Sequence, residues 1–291
     1  MSDERRVVHT VVIRTDAAGA ELAADALRAL GAAAVEERAG DRPAVVEIAA
    51  VLGEAGPDLD VLVGRLSTVW EVRVEAVDAE PAETWKAHSQ SVRVGDWLVI
   101  RPAWIPPVGD DHGREQVVID PGASFGLGDH PTTRLCAAAL GRLVNHGDRV
   151  LDMGCGSGVL SVVACRRGAG RVTSVDIAPD AVTATLANAS ANGVADRVDV
   201  HLGSTVPEGP FDVVVANILA PALLELAPGL IEVVGRGGRL VLSGLLASRH
   251  AHVLEAYRGA PGAPTGLAHV GTDEIEGWCA LEFRRDGAPS R

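Results

Sequence analysis

The sequence predicts a doubly wound α/β fold preceded by a small α+β domain of ferredoxin-like arrangement. Three observations predict it. From residue 117 onward, short apolar runs alternate with helical patterns. A glycine-rich turn, "VLDMGCGSGVL" (150–160), interrupts one of these runs where a helix begins. The first 78 residues show neither feature and read as two helices among four strands.

Taken in order, residues 7–14 (VVHTVVIR) read as a strand. Residues 18–31 form an amphipathic helix ended by Gly31 at a C-cap position. "AAVEER" and "AVVEIAAVL" read as strands joined by the turn "AGDRP". "DLDVLVGRLST" is a second helix, with Leu59, Leu62, Val63 and Leu66 at helical spacing. "WEVRVEAV" alternates as a closing strand. The order β-α-β-β-α-β is the split βαβ arrangement. This domain, residues 1–78, carries no Gly-rich loop and no His–carboxylate pair, so its reading is structural or interactive.

Residues 79–99 read as a linker, polar and proline-bearing at "DAEPAETWKAHSQ". The indoles of Trp85, Trp97 and Trp104 are placed to pack the junction. The second domain, 100–291, holds the runs "QVVID", "RVLDM", "RVTSVDI", "DVVVANI" and "RLVLSG". Most are separated by the helical patterns "PTTRLCAAALGRLV", "GVLSVVACRRG", "PDAVTATLANASANG" and "APALLELAPGLIEVV", and "GWCALEFRR" adds a last strand. Strands apolar on both faces and alternating with helices imply a parallel sheet covered on both sides.

Composition excludes several functions. Aromatics are only 3% of 291 residues, so aliphatic residues and alanine build the core. The net charge is −13, and residues 1–80 hold 8 arginines against 16 acidic residues. Wrapping nucleic acid needs a basic surface, so direct nucleic-acid recognition is not expected. An acidic chain suits a basic partner. Cys136, Cys155, Cys165 and Cys279 form no C-x-x-C pair and no zinc-ligand spacing, so no metal is expected. Neither a signal-peptide core nor a membrane span is apparent, which gives a cytoplasmic expectation.

The glycine turn decides the ligand. A dinucleotide fingerprint needs G-x-G-x-x-G/A, but the sixth position from Gly154 is Val159. A Walker A loop needs a lysine after its glycines, and the only lysine is Lys86. What remains is D-x-G-x-G-x-G with Asp176 ending the next strand, 22 residues after Gly154. A carboxylate there suits ribose hydroxyls and so selects a nucleoside. Asp176 capping the helix that begins at Pro179 is the bland alternative.

This pattern resembles the class I methyltransferases that use S-adenosylmethionine. The resemblance sharpens in "DPGASFGLGDHPTTRLCAAAL" (120–140), in Asn217, Ile218, Leu219 and Ala220, in Trp85-Lys86 and in Pro102–Trp104. These stretches are similar to the PrmA family, bacterial methyltransferases of ribosomal protein L11. The resemblance covers nearly the whole chain. It implies a class I methyltransferase sheet, S-adenosylmethionine as cofactor, and a small N-terminal domain that recognises the ribosomal protein, free or in the large subunit. The implied activity is S-adenosylmethionine-dependent protein N-methylation of lysine ε-amines, the N-terminal α-amine, or both. The implied cofactor contacts are Thr133, Gly154, Asp176 and Asn217, with Gly156 in the same turn.

Each contact has a plainer alternative: an N-cap for Thr133, a tight turn for Gly154, a buried turn amide for Asn217. Asn217 is the best candidate for orienting an incoming amine; no general base is assigned, and His130 is as well explained by structure. Ile218 and Leu219 stand where planar-amine enzymes carry prolines, which favours an alkyl amine. Leu127 replaces the family's usual threonine, Ser124 stands at a less consistent position, and Asp129 adds a charge beside His130. These departures keep open another class I methyltransferase acting on a different protein or a small amine. A non-catalytic ribosome-binding module of the same fold is the alternative outside enzymes. An NAD-dependent oxidoreductase ranks behind both, because Val159 breaks its fingerprint.

Overall fold

The computed structural model describes residues 7–16, 19–29, 35–40, 42, 45–51, 57–78, 89–107, 113–122, 126–258 and 267–286. Gly31, Ser124, the Trp85-Lys86 pair and the side chain of Leu62 lie outside what is described. The chain divides into two compact units, Met1–Ser89 and Gln90–Arg291. No helix among the described residues is long and apolar enough to cross a membrane.

The first unit runs β1 (Val7–Asp16), α1 (Ala20–Ala29), β2 (Glu36–Ala39), β3 (Val45–Val51), α2 (Pro57–Leu66) and β4 (Glu71–Asp78). Its sheet has the order β2-β3-β1-β4, with every neighbouring pair antiparallel. One face is apolar because strand residues alternate: Val11, Ile13, Ile48 and Ala50 pack against Ala23, Leu27, Leu59 and Leu66 of the helices. On the other face Arg73, paired in register with Val12, reaches Glu47 with two bonds of 2.6 and 2.8 Å.

The second unit opens with a small sheet. β5 (Val92–Val94) is antiparallel to β6 (Leu98–Pro102), which is parallel to β7 (Glu115–Ile119). Two expectations change here. The linker ends before residue 92 rather than at 99, because Val94, Leu98 and Val99 bury themselves as strand residues of this unit. "QVVID" does not join the main sheet: it is β7, and its apolar run reflects packing of Val117 and Ile119 beneath the helices. Trp97 also packs within this unit, with Gly141 against its indole and the Arg167 guanidinium 5.8 Å from the ring centre.

The rest of the unit is α3 (Pro131–Leu143), β8 (Arg149–Met153), α4 (Val159–Arg167), β9 (Arg171–Asp176), α5 (Pro179–Ala191), β10 (Val198–Leu202), β11 (Phe211–Asn217), α6 (Ala220–Val233), β12 (Val234–Leu246), α7 (Ala251–Arg258), β13 (Leu267–Ile275) and β14 (Trp278–Arg285). The seven strands lie in the order β10-β9-β8-β11-β12-β14-β13. The first five are parallel, and β14 is antiparallel to both its neighbours. Strands β10 and β13 and helix α7 had no counterpart in the sequence reading.

Two apolar layers enclose the sheet. Helices α3 and α4 and the small sheet cover one face through Leu140, Val163, Ile100 and Ile119. Helices α6 and α7 cover the other through Leu223, Leu230, Val253 and Tyr257. The helix after β8 therefore goes to one face and the helix after the adjacent β11 to the other. Between these strands the winding reverses, and the two departing turns leave a crevice at their carboxyl ends.

Candidate functional site

The crevice is built first by glycine. Gly154, Gly156 and Gly158 leave β8 with φ of 78°, 53° and 77°, a region that side-chain-bearing residues enter only at a cost. The amides of Gly154 and Cys155 donate to the Val175 carbonyl at 2.8 and 3.1 Å, which folds the turn back on β9. Gly158 then becomes the N-cap of α4, and a Cβ on it would come within 2.9 Å of the Thr185 backbone. At Gly154 the missing side chain leaves room for Ile218, whose Cγ2 occupies that space. Gly244 (φ 87°) yields in the same way to the Ile218 backbone. Ile218 is thus clasped between two glycines, one after β8 and one in β12.

Asp176 ends β9 beside this turn. One carboxylate oxygen accepts the Gly156 N–H and the other the Ala178 N–H, each at 2.9 Å. The bond to Ala178 turns the chain toward α5, but Ala178 is the cap residue, so Asp176 ties the glycine turn to the helix approach instead of capping the helix. Each oxygen keeps a second lone pair, and the residue is only half-buried.

Thr133 lies in the first turn of α3, with 1% exposure. The capping alternative for it does not hold: the N-cap is His130, whose Nδ1 accepts the Thr132 N–H at 3.3 Å and lies 2.7 Å from Thr132 Oγ1. Thr133 is left to accept from Asn217 Nδ2 at 3.4 Å. Residues 84 apart in sequence therefore meet across the crevice. His130 is a structural cap. Burial holds its pKa below the usual imidazole range, opposed by the charges of Asp129 and Glu276, and its ring lies edge-on to Trp278 at 4.8 Å.

Beneath the turn sits a buried carboxylate. Asp152 of β8 accepts from Ser161 Oγ at 2.6 Å, and Ser161 meets Ser174 at 2.7 Å. Its Oδ1 is buried with no hydrogen-bond partner. Burial pushes the Asp152 pKa up to about 6; the Ser161 bond opposes this, and the charge of Asp176 adds to it. Sequence reasoning had used this residue only as the first letter of a glycine pattern. It also passed over Ile177 and Leu202, which are 74% and 59% exposed at the carboxyl ends of β9 and β10. The signal available was an aliphatic residue at each strand's carboxyl end, but strand-end residues are hard to orient from sequence.

Among the described residues no cluster of three His, Cys, Asp or Glu is arranged for a metal, and the four cysteines are buried and form no disulfide. A cleft of about 430 Å³ opens at the opposite, amino-terminal edge of the sheet, lined by His146, Arg166 and Arg197 among others. Arg197 is committed there to the carbonyls of Cys165 and Ala169 at 3.0 and 3.2 Å, at the C-terminal end of α4.

Comparison with known proteins assigns the chain to one family. The family described as "Ribosomal protein L11 methyltransferase (PrmA)" matches residues 8–286. A ribosomal protein L11 methyltransferase of Geobacter sulfurreducens is 42% identical over 210 residues, covering 72% of this chain and 68% of the relative. That of Escherichia coli (strain SMS-3-5 / SECEC) is 40% identical over 212 residues, covering 72% and 69%. The crystal structure of ribosomal protein L11 methylase from Lactobacillus delbrueckii subsp. bulgaricus has a TM-score of 0.62 and 28% identity, over 68% of this chain and all of that one. The chain belongs to the PrmA family of ribosomal protein L11 methyltransferases.

Proposed function

We propose that this protein transfers methyl groups from S-adenosylmethionine to lysine ε-amines, the N-terminal α-amine, or both, of ribosomal protein L11. The observation that carries the reading is the convergence of the glycine turn, Asp176, Thr133 and Asn217 on one crevice, in a chain matched by that family over residues 8–286. The residues fit the cofactor. Three left-handed glycines allow close backbone approach. Asp176 offers lone pairs to ribose hydroxyls, and exposed Ile177 and Leu202 offer apolar surface to a purine. The unpartnered Oδ1 of Asp152 suits a cationic group such as the ammonium of the methionine moiety.

When bound, the cofactor supplies a methyl group already activated on a sulfonium. The chain's task is then to present a neutral amine in line, and positioning of that kind contributes about 7–11 kcal/mol in well-oriented reactions. Asn217 is half-buried, and with its Nδ2 given to Thr133 its Oδ1 is left to accept a hydrogen from the amine and aim its lone pair. An ammonium entering the crevice loses solvation, which lowers its pKa and favours release of its proton. His130 takes no part as base in this reading, since its Nδ1 is spent on the helix cap. The acidic first unit presents the basic ribosomal protein, free or within the large subunit, and nucleic acid is not read directly.

The test is transfer of labelled methyl from S-adenosylmethionine to unmodified ribosomal protein L11. Label on lysine or α-amine is expected, and Asp176→Ala weakens cofactor binding about 10- to 100-fold through lost charge-assisted bonds. Cofactor binding without transfer to this protein would move the reading to another amine or to a non-catalytic role. Absence of cofactor binding by the unaltered chain would overturn it.

A further inference from the structure

Helix α5 carries a buried polar stripe on its inner face. Thr185 and Asn188 of the helix and Asn192 at its C-cap are spaced by three and four residues and are all buried. Buried amides must find partners, and these find them in the backbone. Asn192 Oδ1 accepts the Val118 N–H at 2.9 Å, and its Nδ2 donates to the Val118 carbonyl at 2.7 Å. Asn188 does the same two residues on: its Oδ1 accepts the Asp120 N–H at 2.9 Å, and its Nδ2 donates to the Asp120 carbonyl at 2.8 Å. Alternate residues of a strand edge turn their N–H and C=O groups the same way. The two side-chain amides therefore stand where a neighbouring strand would, along the edge of β7 and its exit.

The two asparagines differ in where the second amide hydrogen goes. Asn192 returns it to the Asn188 carbonyl of its own helix at 2.8 Å. Asn188 gives it to the Ser157 carbonyl in the glycine turn at 2.8 Å. Ser157 Oγ in turn donates to the Gly126 carbonyl, and Thr185 Oγ1 donates to the Gly156 carbonyl at 3.0 Å. The exit of β7 reaches the glycine turn through Asn188, and the stretch from Gly126 that leads to Thr133 reaches it through Ser157. A single buried side chain thus ties the exit of β7 to the glycine turn.

We propose that Asn188 is a positioning residue for methyl transfer, coupling the glycine turn to the exit of β7 at Asp120. The proposal rests on the reading of this crevice as the S-adenosylmethionine site. Asn188 acts through Ser157 and Asp120 and touches no reacting atom. Asn192 is its internal control: it has the same residue type and serves the same strand edge, from the C-cap of the same helix, but has no bond to the glycine turn.

Asn188→Ser and Asn192→Ser are compared for thermal stability, for cofactor affinity by calorimetry, and for the separate kcat and KM of S-adenosylmethionine. Both variants lose stability, but Asn188→Ser alone raises the cofactor Kd and KM about tenfold, while Asn192→Ser stays within about twofold. Should Asn188→Ser fail to fold, hydrogen exchange of the unaltered chain decides. Cofactor is then expected to slow exchange of the Asp120 amide about tenfold and that of the Val118 amide less than about threefold. Equal shifts in Kd for the two variants, or equal responses of the two amides, overturn the role of Asn188 and leave the cofactor site standing. An unaltered chain that does not bind S-adenosylmethionine overturns the site itself, and this proposal with it.

Discussion

At the scale of single residues, Asp152 has the clearest consequence. Its carboxyl is 1% exposed, accepts one hydrogen bond, and has a second oxygen without one. Burial raises its folded pKa to about 6 from an ordinary value of 3.8. The folded state therefore holds a proton between about pH 4 and 6 that the unfolded chain has already released. Stability contributed by this group is fully present below the unfolded pKa and is lost as pH rises through the folded one. Above that window the folded state bears the whole cost of the buried charge, about 2–3 kcal/mol at 1.36 kcal/mol for each pH unit between the two values. Asp152→Asn is expected to remove this slope. Urea unfolding at pH 4.5, 6 and 7.5 should show wild type losing about 2 kcal/mol more than the variant between the first pH and the last. Parallel curves would mean that Asp152 is already ionised at pH 4.5. Nothing in the local sequence announces this behaviour, because a strand-end aspartate gives no sign of whether its oxygens find partners. The Thr133–Asn217 hydrogen bond was not legible, since no local spacing joins residues 84 apart; the family resemblance implied the two only as separate cofactor contacts.

At the scale of elements, two turns pack on each other: the glycine turn between β8 and α4, and the turn between β11 and α6. Ile218 is the tooth between them, with Gly154 and Gly244 as the spaces it fills. An alanine at 154 would have to carry a side chain at φ 78°, costing about 1–3 kcal/mol, and would overpack Ile218 for a further 1–3 kcal/mol. The first cost is a property of the backbone and the second of the pair. Shortening Ile218 to alanine in the Gly154→Ala background should recover the second and leave the first. A double-mutant cycle by chemical denaturation is expected to give a coupling of about 1–2 kcal/mol. No coupling would mean that Ile218 swings clear and that glycine is needed at 154 for its backbone alone. The glycine turn itself was legible, because left-handed turns at a strand–helix junction leave glycine in the sequence. Strands β10 and β13 were not. They are the two edges of the seven-stranded sheet, half exposed, so "VDVHL" and "LAHVGTDEI" lack the continuous apolar signal of β8 and β11. β7 erred the other way: its apolar run reports burial, and burial alone does not say which sheet a strand joins.

At the scale of the whole molecule, charge and site chemistry separate. The net charge is −13, while the crevice is made of backbone amides, hydroxyls, one amide side chain and two aspartates. Long-range attraction of a basic protein comes from the summed field and is screened by salt, with a Debye length near 10 Å at 0.1 M and 3 Å at 1 M. Contacts inside a half-buried crevice are screened far less. Salt therefore divides recognition of the protein substrate from binding of the cofactor. Raising ionic strength from 50 to 500 mM is expected to lower kcat/KM for ribosomal protein L11 about tenfold, mainly by slowing encounter. The Kd for S-adenosylmethionine should stay within about twofold over the same range. If kcat/KM for the protein substrate holds steady while salt rises, the acidic surface serves solubility alone and recognition rests on short-range contacts. If kcat/KM falls while the cofactor Kd rises in step, the cofactor too is held by exposed charge, and the burial of Asp152 loses its significance for binding.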